Sequence, residues 1–154
     1  MDYRLRPARL ADLEVLVRHR RAMWHDMGTY RGRQLAAADA PYRAWVQREW
    51  RALRLRAWVV EDAGGAVVAG GALWLQAIHP RPGTRNLVQP YLLSFYTEPA
   101  HRGKGLARGI ARECIAWSRE KGYPRIALHA SDAGRALYEG LGFRPTAELR
   151  LDLD

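Results

Sequence analysis

Residues 97–108 read TEPAHRGKGLAR, a stretch in which a strand-like run passes through a glycine-rich turn into a helical pattern. Gly103 and Gly105 allow the backbone to approach a ligand closely, and Arg102 and Lys104 add positive charge. The first amides of a helix point outward without partners, and the helix dipole places partial positive charge there. The stretch therefore predicts an anion site, most naturally for a pyrophosphate.

The spacing of this turn differs from that of two better-known phosphate loops. A dinucleotide-binding fingerprint requires glycine or alanine three residues after Gly105, where Arg108 stands. A Walker loop requires glycine five residues before Gly103, where Glu98 stands. It also requires serine or threonine after Lys104, where Gly105 stands. Taken alone, the turn is also compatible with a basic glycine turn that caps an ordinary helix.

A second segment favours the ligand site. Residues 131–143 read SDAGRALYEGLGF and follow the next predicted strand. The two segments, in this order, resemble the GNAT superfamily of N-acetyltransferases. The family pattern is Arg or Gln, two residues, Gly, one residue, then Gly or Ala, and it is matched by Arg102, Gly105 and Ala107. Pro99 and the later LYE and LGF triplets also stand at family spacing, and the resemblance extends over residues 90–153.

The periodicity of the remaining chain predicts alternating helices and strands. Apolar residues recur at helical spacing over residues 10–26 and 42–53, with Asp39 before Pro41 as the cap of the second helix. Further helices are predicted at residues 106–121 and 134–141. Strands are predicted at residues 3–6, 57–61, 66–76, 92–97, 125–130 and 149–153. A hairpin turn is expected at residues 62–65 and a long exposed loop at residues 77–90.

Together these elements predict an α/β (α+β) layered domain with a mixed central sheet. The resemblance implies a GNAT-like acyl-CoA N-acyltransferase fold, with six to seven strands and about four flanking helices. It also implies two parallel strands that splay apart at the cofactor cleft. Residues 1–154 are expected to form a single N-acetyltransferase domain, because no repeat, low-complexity tract or interior linker interrupts them.

The composition is that of a globular protein, with 48% hydrophobic and 27% charged residues. No apolar run approaches the roughly 20 residues that span a bilayer, and the first residues lack an apolar signal core. Cys114 is the single cysteine, which excludes an intrachain disulfide and a cysteine-based zinc cluster. We therefore expect a cytoplasmic location and no metal. The net charge of +9 suits a polyanion, but the arginines are scattered from Arg4 to Arg150.

The resemblance implies acetyl-CoA as co-substrate, bound in the wedge between the strands at residues 92–97 and 125–130. Backbone groups of Phe95, Tyr96 and Thr97 would pair with the pantetheine amides, and the pyrophosphate would rest on the amides of residues 103–108. Ser131 stands where the family often has a cofactor-contacting asparagine, and a serine hydroxyl reaches less far. The residues expected at the cofactor are Phe95, Tyr96, Thr97, Arg102, Gly103, Lys104, Gly105, Leu106, Ala107, Arg108 and Ser131.

The resemblance also implies direct attack of a free amine on the thioester without an acyl-enzyme, so Cys114 is expected to be a structural thiol. At the position of Tyr138 the family places a hydroxyl that donates toward the departing CoA thiolate, as general acid or hydrogen-bond donor. Helical spacing beside Leu137 and Leu141 would by itself make Tyr138 a core aromatic. The base that removes the amine proton has no fixed family position; besides a water chain, the candidates are Asp26, His129 and Glu148.

The acceptor is expected to be a small-molecule amine or a protein amine. In the family, the first two helices and the loop at residues 77–90 shape its pocket. The aromatic and polar side chains brought there are Trp24, His25, Asp26, Tyr30, Trp45, Trp50, Trp74 and Tyr91. These favour an apolar or ring-bearing amine, although most of the aromatics stand at core spacing. Family members are often dimers, so a homodimer is one expected state; nucleic acid and membranes are not expected partners.

Two alternative functions stay open at this stage. A CoA-binding module that has lost catalysis would account for the missing base and for Ser131. A basic nucleic-acid binder would account for the net charge of +9 and for residues 101–104, but it requires one basic face with interleaved aromatics. Release of free thiol with a panel of amines separates the enzyme from the binding module. Salt-sensitive DNA binding without CoA affinity would favour the nucleic-acid binder.

Overall fold

A computed structural model of the chain describes residues 2–83 and 86–153. Within these residues, five strands form one sheet in the order β1-β2-β3-β4-β5. Their bounds are β1 Arg4–Pro7, β2 Leu55–Glu61, β3 Val67–Ala77, β4 Val88–Thr97 and β5 Ala127–Leu128. Neighbouring strands from β1 to β4 run antiparallel, whereas β4 and β5 are parallel. The predicted mixed sheet with a parallel pair is confirmed.

The described part of the chain contains five α-helices. Their bounds are α1 Leu13–Met27, α2 Arg33–Ala37, α3 Asp39–Arg51, α4 Leu106–Glu120 and α5 Asp132–Glu139. Short 3-10 turns precede α1 and follow β4, at Leu10–Asp12 and Pro99–His101. The sequence pattern does not predict α2, because five residues are too short to show a helical period.

Two hydrophobic clusters lie on opposite faces of the sheet. Side chains of a strand alternate between the faces, so in β2 Val59 packs toward α1 and α3, whereas Trp58 and Val60 pack toward α4. The centre of the second cluster is formed by Ile110 and Cys114 of α4, which are both fully buried. α1 and α4 therefore hold the sheet from its two sides.

A buried charged side chain, Glu49, contacts Trp74 at the edge of the first cluster. Glu49 of α3 accepts hydrogen bonds from Arg54 Nε at 2.8 Å and from Trp74 Nε1 at 3.1 Å, and it also pairs with Arg48. The guanidinium of Arg54 lowers the pKa of Glu49 to about 2. The carboxylate is thus held charged and ties α3 to the end of β3, so it serves the fold.

The predicted closing strand is wrong. Residues 149–153 lie outside the sheet, which has five strands in the described residues and not six or seven. Leu149, Leu151 and Leu153 are 94%, 81% and 88% exposed. Their alternation is typical of a strand, but β5 pairs through only two residues and offers the tail no ladder of backbone groups.

Other boundaries also differ from the prediction. The strand expected at residues 125–130 is limited to Ala127–Leu128, and the helix expected at residues 134–141 is Asp132–Glu139. The expected loop at residues 77–90 is shorter, because β3 continues to Ala77 and β4 begins at Val88; residues 84 and 85 lie outside the described residues. Pro90, a reason to predict a loop, is fully buried within β4 opposite Leu75. Asp39 is the first residue of α3 and not its cap, since its carboxylate pairs with Arg21 of α1.

Candidate active site

The parallel strands β4 and β5 separate after a short contact. Their register pairs Tyr91 with Ala127 and Leu92 with Leu128, and within residues 86–153 the pairing does not continue beyond these residues. The C-terminal half of β4 therefore has β3 on one side and an open gap on the other. This is the splayed pair of parallel strands that the family resemblance implies.

A bulge interrupts β4 where the gap opens. β3 and β4 pair Ala72 with Leu93 and then Gly70 with Tyr96, which leaves Ser94 and Phe95 together opposite Gly71. Ser94 has a φ of 56°, in the left-handed region that is rare for a residue with a side chain. Such a bulge rotates the following backbone groups, so it redirects the edge of β4 toward the gap.

Side chains on both faces hold the bulge. Tyr42 of α3 donates a hydrogen bond from its hydroxyl to Ser94 Oγ at 3.1 Å. On the other face the Phe95 ring lies on Gly71, where an added methyl group would come within 2.8 Å of the ring. The position of the bulge thus depends on a tyrosine far away in sequence and on the absence of a side chain at Gly71.

The glycine-rich turn lies directly beyond β4 and is exposed. Gly103 and Gly105 have φ values of 74° and 76°, and a methyl group added at either would meet nothing within 4 Å. Gly105 is the N-cap residue of α4. Among the described residues, no backbone carbonyl accepts a hydrogen bond from the amides of Gly105, Leu106, Ala107 and Arg108. These unpaired amides lie at the helix start where the sequence predicts an anion site.

The cations of this turn already contact other parts of the protein. Arg102 pairs with Asp26 of α1 and donates from Nε to the Thr97 carbonyl at 3.0 Å. Lys104 Nζ donates to the Tyr3 hydroxyl at 3.0 Å and to the Ala100 carbonyl at 3.2 Å. The guanidinium of Arg108 reaches the end of α5, where a methyl group added at Gly140 would lie 3.3 Å from Nη2.

Tyr138 of α5 faces the bulge. Its ring meets the Phe95 ring edge to face, with centroids 5.9 Å apart, and meets the Phe143 ring in the same way at 5.8 Å. Burial raises the pKa of Tyr138 above its ordinary value of 10.0. Within the described residues its hydroxyl has no hydrogen-bond partner, so a protonated donor is available next to the point where the strands separate.

Two neighbouring residues have structural contacts of their own. Ser131 caps α5, because its hydroxyl accepts a hydrogen bond from the Gly134 amide at 3.2 Å. Cys114 is completely buried in α4, and this burial raises the pKa of its thiol, which disfavours the nucleophilic thiolate.

The three base candidates do not lie together. Asp26 is at the end of α1, where the Arg102 guanidinium lowers the pKa of its carboxyl. His129 and Glu148 line a broad depression of about 1250 Å³ between β5, α5 and the C-terminal tail, together with Tyr91 and Tyr138. The pKa of Tyr91 is raised, first by burial and then by the charge of Glu148.

The sequence pattern misses a pair beside the glycine turn, formed by a buried histidine and a partly exposed glutamate. His19 of α1 is only 2% exposed and donates from Nε2 to Glu98 at 3.2 Å, while its Nδ1 has no partner among the described residues. Its ring also packs on Tyr96, with centroids 5.2 Å apart. No local signal indicates this pair, since 79 positions separate its members along the chain.

Aromatic side chains from the first half of the chain line the α1 and α3 side of the bulge. Trp45 stacks on Tyr42 and meets Trp74 edge to face, and Trp24 meets Tyr30. Trp45, Trp50 and Trp74 pack against the first cluster, as their spacing predicts, but each of them remains partly exposed.

Two features are absent from residues 2–83 and 86–153. No group of three or more His, Cys, Asp or Glu side chains is placed to hold a metal ion. No helix is both long and apolar enough to cross a membrane.

The chain is similar to known acetyltransferases in sequence. A family model described as Acetyltransferase (GNAT) family matches residues 21–143. N-acetyltransferase 8 of Rattus norvegicus is 30% identical over 99 residues, which cover 62% of this chain and 42% of that protein. The chain thus spans less than half the length of this curated relative.

Solved structures are similar over almost the whole chain. A GCN5-related N-acetyltransferase from Ralstonia eutropha JMP134 has a TM-score of 0.89 and 31% identity, with 99% of each chain covered. A predicted acetyltransferase with acetyl-CoA from Clostridium acetobutylicum has a TM-score of 0.87 and 25% identity, with 99% of this chain and 96% of that chain covered. The two sequence motifs, the splayed sheet and these relatives agree, and the chain belongs to the acetyltransferase (GNAT) family.

Proposed function

We propose that this chain transfers the acetyl group of acetyl-CoA to a primary amine by direct attack in a ternary complex. The observation that carries the proposal is the set of unpaired amides at the start of α4, directly beyond the gap between β4 and β5. A pantetheine arm in that gap would bring the pyrophosphate to those amides. The acetyl-CoA in the Clostridium acetobutylicum relative supports the same co-substrate.

The pantetheine amides would pair with backbone groups of β4 that face the gap. Phe95 and Tyr96 are the main candidates, because the Thr97 carbonyl already accepts from Arg102. The pyrophosphate would lie on the turn formed by residues 103–108, with Arg102, Lys104 and Arg108 around it. Ser131, which caps α5, would contribute at most a hydroxyl that is shared with the Gly134 amide.

Tyr138 would supply the proton for the leaving group. The amine nitrogen bonds to the thioester carbonyl carbon, the carbon–sulfur bond breaks, and the CoA sulfur takes the hydroxyl proton of Tyr138. Burial raises the pKa of Tyr138, so the hydroxyl is protonated at neutral pH and can donate a hydrogen bond to the sulfur. The phenolate then regains a proton released from the attacking amine through solvent.

The base is open among the three candidates. The lowered pKa of Asp26 makes that carboxylate a weak proton acceptor at neutral pH. His129 and Glu148 share a depression with Tyr138, which supports either of them as the group that receives the amine proton. We also propose that residues 1–154 act as one N-acetyltransferase domain, which a single sheet from β1 to β5 supports.

A pair of substitutions at Gly105 tests the diphosphate site. Asp and Asn tolerate the left-handed backbone of Gly105 better than other residues with side chains, and the space around it is open. Gly105→Asp places an anion at the helix start, whereas Gly105→Asn has nearly the same shape without the charge. We expect Gly105→Asp to weaken acetyl-CoA binding at least about tenfold relative to Gly105→Asn, as measured by titration calorimetry.

Equal affinities in the two variants would contradict a diphosphate at this turn. A second assay follows thiol release from acetyl-CoA with a panel of primary amines, and buried Cys114 should contribute little background to the thiol reagent. Tight acetyl-CoA binding without thiol release from any amine would indicate a binding module and overturn the proposed transfer.

A further inference from the structure

We infer that the acceptor is a primary amine that also carries a carboxylate, and that the guanidinium of Arg20 binds this carboxylate. The inference rests on the proposed acetyl transfer and specifies the class of its acceptor. It is carried by a half-buried arginine that has aromatic neighbours but no anion, at the side of the bulge where the amine would enter.

Arg20 is an arginine of α1 that has no counter-ion in the part of the chain that the structure describes. Its guanidinium carbon lies 4.2 Å from the centre of the Tyr42 ring and 5.8 Å from that of Trp24. Within the described residues no carboxylate or other acceptor binds its N–H groups. The neighbouring arginines of the helix differ, since Arg18 pairs with Glu98 and Arg21 pairs with Asp39.

This environment suits an incoming anion. Burial lowers the pKa of Arg20, which reflects the cost of removing its charge from water. The negative faces of the two rings compensate part of that cost. They do not, however, accept the hydrogen bonds that the guanidinium N–H groups can donate in the plane of the group. A carboxylate can take two of these bonds in parallel, which is the geometry that a guanidinium fork matches best.

Arg20 also lies close to the expected reaction centre. One tyrosine separates the two, because Tyr42 contacts the guanidinium with its ring and donates its hydroxyl to Ser94 at the bulge. The ring wall continues from Tyr42 to Trp45 and Trp74. An acceptor that places its carboxylate on Arg20 would therefore lay an apolar or aromatic part along these rings and direct its amine to the bulge.

A single carboxylate fits the single positive charge of Arg20 better than a phosphate. A phosphate monoester carries nearly two negative charges at neutral pH. Among the described residues, Arg20 is the one cation that stacks on Trp24 or Tyr42. The balance of one positive charge against one negative charge favours an amino acid or a peptide-like acid.

The experiment compares acids with their amides. Acetylation of phenylalanine, tryptophan and leucine, and of the corresponding amino-acid amides, is measured in wild type, Arg20→Met and Arg20→Lys. Arg20→Met keeps the apolar stem of the side chain, and Arg51→Ala is the matched control, because Arg51 is an exposed arginine of α3 without a partner among the described residues. The measured quantity is the kcat/KM for the acid divided by the kcat/KM for its amide. The amines of acid and amide differ in pKa, but this difference is the same for every variant and does not affect the comparison of their ratios.

We expect Arg20→Met to lower this ratio about 10- to 100-fold, the effect of losing a hydrogen-bonded ion pair. Arg20→Lys should keep part of the ratio, Arg51→Ala should keep all of it, and acetyl-CoA affinity should be unchanged in every variant. A ratio that Arg20→Met leaves unchanged overturns the inference, while the observed turnover still supports acetyl transfer.

A binding measurement separates this inference from the proposed function. Calorimetry of N-acetylphenylalanine, the expected product, needs no turnover. If no amine releases thiol, the proposed transfer fails; binding of N-acetylphenylalanine that is lost in Arg20→Met then still supports a carboxylate site. Binding that is equal in wild type and Arg20→Met rejects it.

Discussion

The ring of Tyr138 is the middle one of three aromatic rings in contact, with Phe95 on one side and Phe143 on the other. Sequence spacing alone would place this tyrosine in the core, and its ring does pack there. The hydroxyl, however, has no partner among the described residues, and burial raises its pKa above 10.0. One side chain therefore serves both packing and, as we propose, proton donation.

Replacing Tyr138 with phenylalanine separates these roles. The ring contacts remain in Tyr138→Phe, so the free energy of unfolding and the affinity for acetyl-CoA should stay close to wild type. Loss of the acid should lower kcat by about 10²–10⁴-fold, as measured by thiol release. Because the pKa of Tyr138 lies above 10.0, the wild-type rate should show no loss from its deprotonation below that pH. An unchanged kcat in Tyr138→Phe would contradict the role.

For individual residues, the sequence predicts those features that depend on neighbours along the chain. The open backbone at Gly103 and Gly105 follows from residues adjacent in the chain, and so does the helix start beyond them. In the sequence, nothing distinguishes Arg20 from the other arginines of predicted helices. Its uncompensated charge emerges only when Tyr42 of another helix covers it.

Strand β4 is the element on which the site depends. It pairs with β3 along its length, contacts β5 only near Tyr91 and Leu92, and changes register at Ser94 and Phe95. The left-handed conformation of Ser94 costs on the order of 1–3 kcal/mol. The hydrogen bond from Tyr42 and the contact of Phe95 with Gly71 offset this cost and hold the bulge in place.

The contact at Gly71 gives a test of the bulge. In Gly71→Ala the new methyl group would lie 2.8 Å from the Phe95 ring, so the ring must move and take the Tyr138 ring with it. We expect a loss of about 1–3 kcal/mol in the free energy of unfolding by urea and a fall in kcat larger than the fall in acetyl-CoA affinity.

Gly64→Ala is the control for this test. Gly64 lies in the β2–β3 turn, without a positive φ, and its added methyl group would meet only the Asp62 side chain at 3.3 Å. This variant should keep its kcat. If Gly71→Ala were as stable and as active as Gly64→Ala, Phe95 would not be the link between the bulge and Tyr138.

Elements with several turns or long apolar alternation are predicted well by the sequence, and the bulge and the tail are not. Hydrophobic periodicity identifies α1, α3, α4 and the central strands because it records which side faces the core. A bulge adds one residue without changing composition, so β4 looks regular in the sequence. The apolar alternation at residues 149–153 predicts a strand, but a strand also needs a neighbour with free backbone groups.

At the scale of the whole molecule, α1 connects the core to the glycine turn. His19 and Glu98 join the middle of α1 to the end of β4, and Asp26 and Arg102 join its last turn to the glycine turn. The pKa of His19 is lowered, mainly by burial, although Glu98 acts in the opposite direction. The neutral imidazole is therefore the form that the folded state favours.

Protonation of His19 should destabilise the fold. Its folded pKa lies below the ordinary value of 6.5, so the stability it contributes is complete above pH 6.5 and is lost as the pH falls below that value. The carboxyls of Asp12 and Glu49, whose folded pKa values are lowered, lose their contribution only below their ordinary values of 3.8 and 4.5. Between pH 6.5 and 5, the loss should therefore arise from His19.

Urea unfolding at pH 7.5, 6.5 and 5 measures this effect. The wild-type free energy of unfolding should decrease across the series, and His19→Gln, which can still donate to Glu98 but does not titrate in this range, should flatten the decrease. An equally steep decrease in His19→Gln would assign the pH dependence to other groups.

The ion pair of Asp26 with Arg102 has a consequence for the ionic-strength dependence of the enzyme. Both side chains are partly exposed, so dissolved salt screens their attraction. A diphosphate that binds Arg102 must compete with the carboxylate of Asp26, which already pairs with this arginine. Salt weakens the attraction of Arg102 for Asp26 as well as its attraction for the diphosphate. Coenzyme affinity should therefore decline less steeply with added salt than it would if Arg102 had no carboxylate partner.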